Sequence, residues 1–389
     1  MRRVATEGLI MSSERHEVQL ILFLPCLLVL SCLVGCEREP SQQNASLEPD
    51  VNETSPSQRA EIAWPADGDL IYVSNEDSGD ISIIATATNQ VVTTLEVGRR
   101  PRGIKVNGIG DKVFVALSGS PKCPPTMPDE ECESLATDKS KDGIAVVDVR
   151  TARLERVLPG GSDPEQFDLN TDGRRLYVSN EDSNQATIVD IETGEILQIV
   201  DVGREPEGIR ISPDGRVVYV TGETDHDVTV LDADNGAVIA TIGVGLRPRD
   251  VVFAPDGSRA YVSSEIGHSI EVIDVKSHTV AAKIALDDAA KPVGMAIRSD
   301  GRRLYVANGR GQTVSEIDLE SRQILRSVEV GPRAWGIVLS NDERFLYTAN
   351  GPSDDVSVVD IETFTVIARV KVGDMPWGLA LGPNPGRTN

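Results

Sequence analysis

Histidine is scarce in this chain, four residues in 389. His16 falls in an N-terminal stretch read below as a targeting signal, which leaves His226, His268 and His278 for everything else. There is no His-Glu-x-x-His pair, no Gly-x-Ser-x-Gly elbow, no phosphate-binding glycine loop and no Cys-x-x-Cys-His. Those absences remove the sequence signals of zinc proteases, serine hydrolases, P-loop enzymes and covalently attached haem. Basic residues are also in deficit: 38 Lys and Arg against 61 Asp and Glu leave a net charge of −23. Neutralising phosphate needs clustered cations, so nucleic acid is excluded as a partner, and so is electrostatic attachment to an anionic membrane. Acidic pairs are so plentiful that none marks a catalytic dyad. No helical period runs through the chain. The one long apolar run, Leu20 to Val34, is too short for a comfortable membrane span.

That run follows Arg2, Arg3 and Arg15 and ends in Leu33-Val34-Gly35-Cys36. It resembles a bacterial lipoprotein signal, in which Cys36 becomes the lipidated first residue; a plain signal peptide or an uncleaved anchor is the other reading. Glu37, where retention at the inner membrane uses Asp, implies outer-membrane sorting, with the domain facing the periplasm or the cell surface. Contact with the membrane is then through the lipid anchor only. The expected organisation is signal 1–35, a Ser-, Gln-, Asn-, Glu- and Pro-rich tether 36–60, and one domain 61–389. Cys26 and Cys32 leave with the signal. Cys123 and Cys132 remain, and an oxidising compartment should close them as a disulfide; a metal site there lacks further ligands nearby.

What the chain has in abundance is one phrase. Tyr72-Val-Ser-Asn, Tyr177-Val-Ser-Asn, Tyr219-Val-Thr-Gly, Tyr261-Val-Ser-Ser, Tyr305-Val-Ala-Asn and Tyr347-Thr-Ala-Asn share a template, with Phe114-Val-Ala-Leu as a seventh copy. The step is 42 residues from Tyr177 to Tyr219, Tyr219 to Tyr261 and Tyr305 to Tyr347, and 63 from Phe114 to Tyr177. Stacked supersecondary units produce such a period. Within Pro206 to Gly245 the pattern reads as four short strands separated by turns, among them Pro213-Asp-Gly. This predicts an all-β, seven-bladed β-propeller of four-stranded antiparallel blades. The last Val372-Gly-Asp-Met-Pro-Trp-Gly linker is followed only by Leu379-Ala-Leu and a tail, so the C-terminal strand should complete the first blade and remove a free edge. Residues 61–64 compete for that slot.

The hairpin turns Asn170-Thr-Asp-Gly, Ser212-Pro-Asp-Gly, Ala254-Pro-Asp-Gly and Arg298-Ser-Asp-Gly barely change, so function belongs on the opposite, variable face. There the residue after the linker proline enters each innermost strand beside the central channel. Around the ring it reads Trp377, Arg102, Glu165, Glu207, Arg249, Val293 and Trp335, and Glu76, Glu181, Glu223 and Glu265 join from loops on the same face. One reading is a mouth that binds a polar, partly aromatic ligand or a partner's loop. The other is an Arg–Glu network that fixes neighbouring blades, with the tryptophans as plugs. The second blade expands its loop over Ser118 to Asp142, carrying Cys123 and Cys132, and long loops in compact domains usually serve function as a lid or docking knob. His226 and His268 fall in adjacent rim loops, where a metal is a remote reading; no metal and no cofactor is expected.

The Tyr-Val-Ser-Asn phrases with Val-Gly-x-x-Pro-x-Gly linkers resemble the YVTN-type β-propeller repeat family over residues 66–381. Val97-Gly-Arg-Arg-Pro-Arg-Gly, Asp163-Pro-Glu-Gln-Phe and Tyr261-Val-Ser-Ser-Glu-Ile-Gly are similar to the propeller proteins associated with PQQ-dependent alcohol catabolism. The resemblance implies an exported, non-catalytic binding or assembly module whose partner is a quinoprotein dehydrogenase or c-type cytochrome. Two rivals stay open. One is an enzyme or enzyme subunit, lactonase-like or quinoprotein-associated, that works at the channel mouth. The other is a carbohydrate or cell-wall binder, which the paired tryptophans suggest.

Overall fold

The computed structural model describes residues 62–386 apart from 123–126, 128–129 and 132–134. The expected signal segment, lipidation at Cys36, the tether and the Cys123–Cys132 disulfide lie outside the described residues. Among the described residues, twenty-eight strands fall into seven four-stranded antiparallel sheets, the predicted propeller; blades 2 to 7 run in chain order over residues 101–158, 164–201, 206–243, 248–285, 292–329 and 334–371. Blade 4 shows the unit: Pro206–Ile211 innermost, then Val217–Gly222, Asp227–Asp232 and the outermost Val238–Gly243. Its first turn, Ser212-Pro-Asp-Gly, needs φ of 73° at Gly215, which glycine adopts without a Cβ penalty. Among the described residues no helix is long and apolar enough to cross a membrane.

Blade 1 is assembled from both ends of the chain. Leu70–Asn75, Asp80–Ala85 and Gln90–Glu96 are joined by Pro376–Gly382, which pairs antiparallel with Leu70–Asn75, Tyr72 opposite Ala380. The C-terminal strand takes the innermost slot, and residues 62–65 precede the blade without strand structure.

The recurrent aromatic is the bolt between blades. Tyr177 packs against Ile209, Val218 and Leu231 of blade 4, and Tyr219 meets Phe253 of blade 5 edge-on at 5.0 Å. Tyr347 closes blade 7 onto Ile71, Val73 and Ile84 of blade 1. Phe114 does the same against Leu176 and Val178 of blade 3. A single blade cannot bury its aromatic alone, which is why the period is a property of the whole ring.

Candidate functional site: the channel mouth

The inner strands begin at Pro101, Pro164, Pro206, Pro248, Pro292, Ala334 and Pro376, so the next residue of each stands at the mouth. The repeat's serine sets its position. Ser74 Oγ donates to the Arg102 carbonyl (2.5 Å), Ser179 to that of Glu207 (2.6 Å) and Ser263 to that of Val293 (2.6 Å). Each serine belongs to the preceding blade, so the phrase that defines the repeat also aims its neighbour's mouth residue. On five of the seven blades glycine follows and lets the strands approach: a Cβ on Gly294 would lie 2.2 Å from the Trp335 carbonyl oxygen.

The expected Arg–Glu–Glu–Arg arc resolves into two separate clusters. Arg102 of blade 2 reaches Asp163 (2.5 Å), Glu165 and Glu181 (3.3 Å), all of blade 3. Arg249 of blade 5 pairs with Glu207 and Glu223 of blade 4 and with Glu265 of its own blade at 2.8 Å. Arg247 adds a second cation to Glu223 and lies 3.5 Å from Glu265. A guanidinium has five donors in a rigid fork, enough to serve three acceptors. One positive charge still cannot neutralise three negative ones. Burial pushes Glu165 and Glu207 well up, and neighbouring carboxylates add to this against the pull of Arg102 and Arg249. Glu265 is buried too, yet Arg249 and Arg247 hold it below the usual carboxylate range. Asp163, one of the three carboxylates on Arg102, was not among the mouth residues read from the sequence because it stands before the linker proline, outside that column of the repeat.

On the other side of the mouth Trp335 and Trp377 meet at 5.7 Å, inclined by 39°. Arg249 and Arg333 lie over the Trp335 ring at 5.3 and 5.0 Å. Val293, between Arg249 and Trp335 in the ring, is buried.

The insertion of blade 2 is anchored to both neighbours. Lys122 reaches Glu76 (3.2 Å) and Asp77 (2.7 Å) of blade 1. Ser120 donates to Asp182 of blade 3 (2.8 Å), and Lys139 pairs with the same carboxylate. Arg100 donates to the carbonyls of Ser120 and Pro121 and pairs with Glu76 at 2.9 Å.

Below the mouth runs a channel of about 650 Å³ with two unlike walls. Over blades 6, 7 and 1 it is apolar, with Met295, Ile337 and Leu379. Over blades 2 to 5 it carries a charged ladder: Lys105 to Asp168 at 3.7 Å, Asp168 to Arg210 at 4.0 Å, and Arg210 to Asp250 at 3.4 Å. The ladder was missed at the sequence level although its signal exists. Three residues past the mouth position the strands read Ala380, Lys105, Asp168, Arg210, Val252, Ala296 and Val338, polar on three consecutive blades only. Burial pushes Asp168 up to about 7, with Asp250 adding to it, against hydrogen bonds from the Ile211 and Leu169 amides. A carboxyl raised from its ordinary 3.8 contributes stability at low pH and loses it as pH climbs through about 7. Asp168→Asn, which keeps the acceptor for Ile211, should therefore gain at least about 1 kcal/mol on the wild type between roughly pH 5 and pH 8. Urea midpoints of both proteins at both pH values check this; parallel pH profiles would refute it.

The histidines do not converge. His226 pairs through Nδ1 with the Glu223 carbonyl (2.8 Å), and His268 through Nδ1 with the Ala290 carbonyl (2.8 Å) and through Nε2 with Lys291 (3.0 Å). His278 meets the Tyr219 hydroxyl at 2.8 Å, and burial lowers its pKa.

With this geometry the chain is a β-propeller repeat protein. A YNCE-like β-propeller model matches residues 134–257 and a cytochrome D1 heme domain model residues 260–379. No curated protein matches the chain in sequence. Among solved structures it is similar to a functionally unknown protein from Desulfotomaculum acetoxidans, with TM-score 0.68 and 16% identity over 82% of this chain and 100% of that one. It is also similar to Kuenenia stuttgartiensis hydrazine synthase (TM-score 0.65, 20% identity, covering 79% and 98%). A candidate 6-phosphogluconolactonase of Bacteroides fragilis gives TM-score 0.66 at 17% identity, covering 81% and 98%. These likenesses establish the fold alone. The residues present do not fit the haem that one family description names. Haem iron takes axial His, Cys, Met or Tyr, and the channel wall offers only Met295, a core side chain 4% exposed.

Proposed function

We propose that this chain is a lipid-anchored binding and assembly module of the cell envelope that holds a protein partner on its mouth face and performs no turnover itself. The observation that carries the reading is the mounting of the blade 2 insertion, whose two ends are stitched to blades 1 and 3 through Lys122, Ser120 and Lys139. Ends held from both sides, beside two separate buried Arg–Glu clusters, give a docking knob a fixed base, which lowers the ordering cost of association. Trp377, Arg102, Glu165, Glu207, Arg249 and Trp335 stiffen the floor against which a partner packs. The sequence likeness to propellers of PQQ-dependent alcohol catabolism makes a periplasmic quinoprotein dehydrogenase or c-type cytochrome the first partner to try.

The test uses the full chain in its native membrane. A lysine-reactive cross-linker should trap one envelope protein. Replacing residues 124–136 by a short Gly-Ser linker should abolish that product without moving the thermal midpoint. An undiminished product from the linker variant, or no product above an unrelated lipoprotein, would overturn the proposal.

A further inference from the structure

The repeat contains a recurrent ion pair, and one blade junction carries only half of it. The residue just before the inner strand is Arg100 entering blade 2, Arg247 entering blade 5 and Arg333 entering blade 7. All three adopt positive φ, 44°, 60° and 51°, so their side chains leave equivalent turns. Arg100 and Arg247 are each met by a glutamate that follows the second strand of the preceding blade. Arg100 pairs with Glu76, and Arg247 with Glu223. For Arg333 the corresponding residue is Gly309.

Arg333 therefore keeps the cation of the pair without its anion. Among the described residues it has no ion pair and no hydrogen bond from its guanidinium, which lies over the Trp335 ring at 5.0 Å. Burial lowers its pKa; Glu76 and Glu265 oppose this, while Arg310 and Arg249 add to it. The two carboxylates that act on it do so without an ion pair, and both are engaged elsewhere, Glu76 by Arg100 and Lys122, Glu265 by Arg249 and Arg247. A half-buried guanidinium gives up part of its hydration without gaining a paired anion, and stacking on an indole offsets part of that cost. In a chain of net charge −23 whose other mouth arginines are paired, this corner is the electropositive exception. Directly beside it the apolar wall of the channel begins, at Trp335 and Trp377, and continues to Ile337 and Leu379.

We propose that the Arg333–Trp335–Trp377 corner is a binding site for a small carboxylate with a flat aromatic or branched apolar body. The carboxylate takes the fork of Arg333, supplying the charge that glutamate supplies at the other two junctions. The body lies along Trp335 and Trp377 into the upper channel. The guanidinium fork favours two parallel N–H to oxygen bonds, so a carboxylate is preferred over a neutral amide of the same shape. The site does not depend on the docking reading above, because its readout is a free small molecule rather than a captured protein.

The test titrates the full-length chain with 2-naphthoate and, separately, with neutral 2-naphthamide, reading heat by calorimetry and quenching of indole fluorescence. Saturable naphthoate binding is expected, with naphthamide weaker by roughly tenfold to a hundredfold, the worth of a hydrogen-bonded charge. Arg333→Gln should weaken naphthoate by a similar factor and leave naphthamide unchanged, whereas Arg333→Lys should retain part of the preference. Both variants should melt as the wild type does, since neither strands a carboxylate. Equal affinity for acid and amide, an Arg333→Gln variant that binds naphthoate as well as the wild type, or no saturable naphthoate binding at millimolar concentration would overturn the site.

Discussion

Arg249→Gln is expected to destabilise the propeller by about 3–5 kcal/mol, the usual result of removing one partner from a buried ion pair. Three carboxylates, Glu207, Glu223 and Glu265, converge on this guanidinium, and their side chains are 7%, 11% and 3% exposed. Arg249 is the cation that opposes the upward push of burial on Glu207 and helps hold Glu265 low; without it Arg247 reaches only Glu223 and Glu265, and the carboxylates left charged are poorly solvated. Denaturant unfolding near neutral pH measures the loss. Adding Glu207→Gln, Glu223→Gln and Glu265→Gln to the variant should recover more than half of it, because the cost lies in stranded charge rather than in the missing contact. A loss under about 1 kcal/mol would mean that water reaches the cluster and screens it as at a surface. Arg333→Gln is the control, a mouth arginine whose removal should leave the unfolding midpoint in place.

Ending the chain at Met375 should have a comparable or larger effect, a loss of at least about 4 kcal/mol from the burial of Trp377 and its apolar neighbours alone. The seven residues Pro376–Gly382 are the innermost strand of blade 1, and Leu70–Asn75 pairs with them along its whole length. Their removal strips Leu70 and Tyr72, now fully buried, of one covering layer and opens a sheet edge. It also removes the strand whose Trp377 carbonyl lies against Gly336 of blade 7 and whose Gly378 lies against the Arg102 carbonyl of blade 2. Amide exchange should become fast in Leu70–Asn75 before it does in blade 4. An unchanged melting profile would show that the ring does not depend on its clasp.

The fold was legible because the Tyr-Val-Ser-Asn phrase encodes geometry at several levels at once. Its tyrosine bolts one blade to the next, its serine holds the neighbouring inner strand, and Asn75, Asn180, Asn308 and Asn350 each donate across their own sheet to Ser82, Thr187, Ser315 and Ser357. The mouth was legible as a ring of residue types because one column of the repeat supplies it. Which of those charges belong together was not. Glu165 and Glu207 are consecutive in the ring and looked like one arc, yet they serve different arginines. The channel ladder of Lys105, Asp168, Arg210 and Asp250 was overlooked for a related reason: no single column of the repeat contains all four.

From the amino acids alone came the period, the strand pattern within it, the count of blades and the closure by residues near the C-terminus. These follow from local rules, alternation and turn chemistry repeated seven times, and each copy supports the others. Only the assembled ring decided which carboxylates share a guanidinium, that Asp168 is buried enough to titrate near neutrality, and that Arg333 lacks the glutamate its counterparts have. Those outcomes depend on distances of a few ångströms between side chains from different blades, and on how much water reaches them. Neither quantity is carried by any one stretch of sequence.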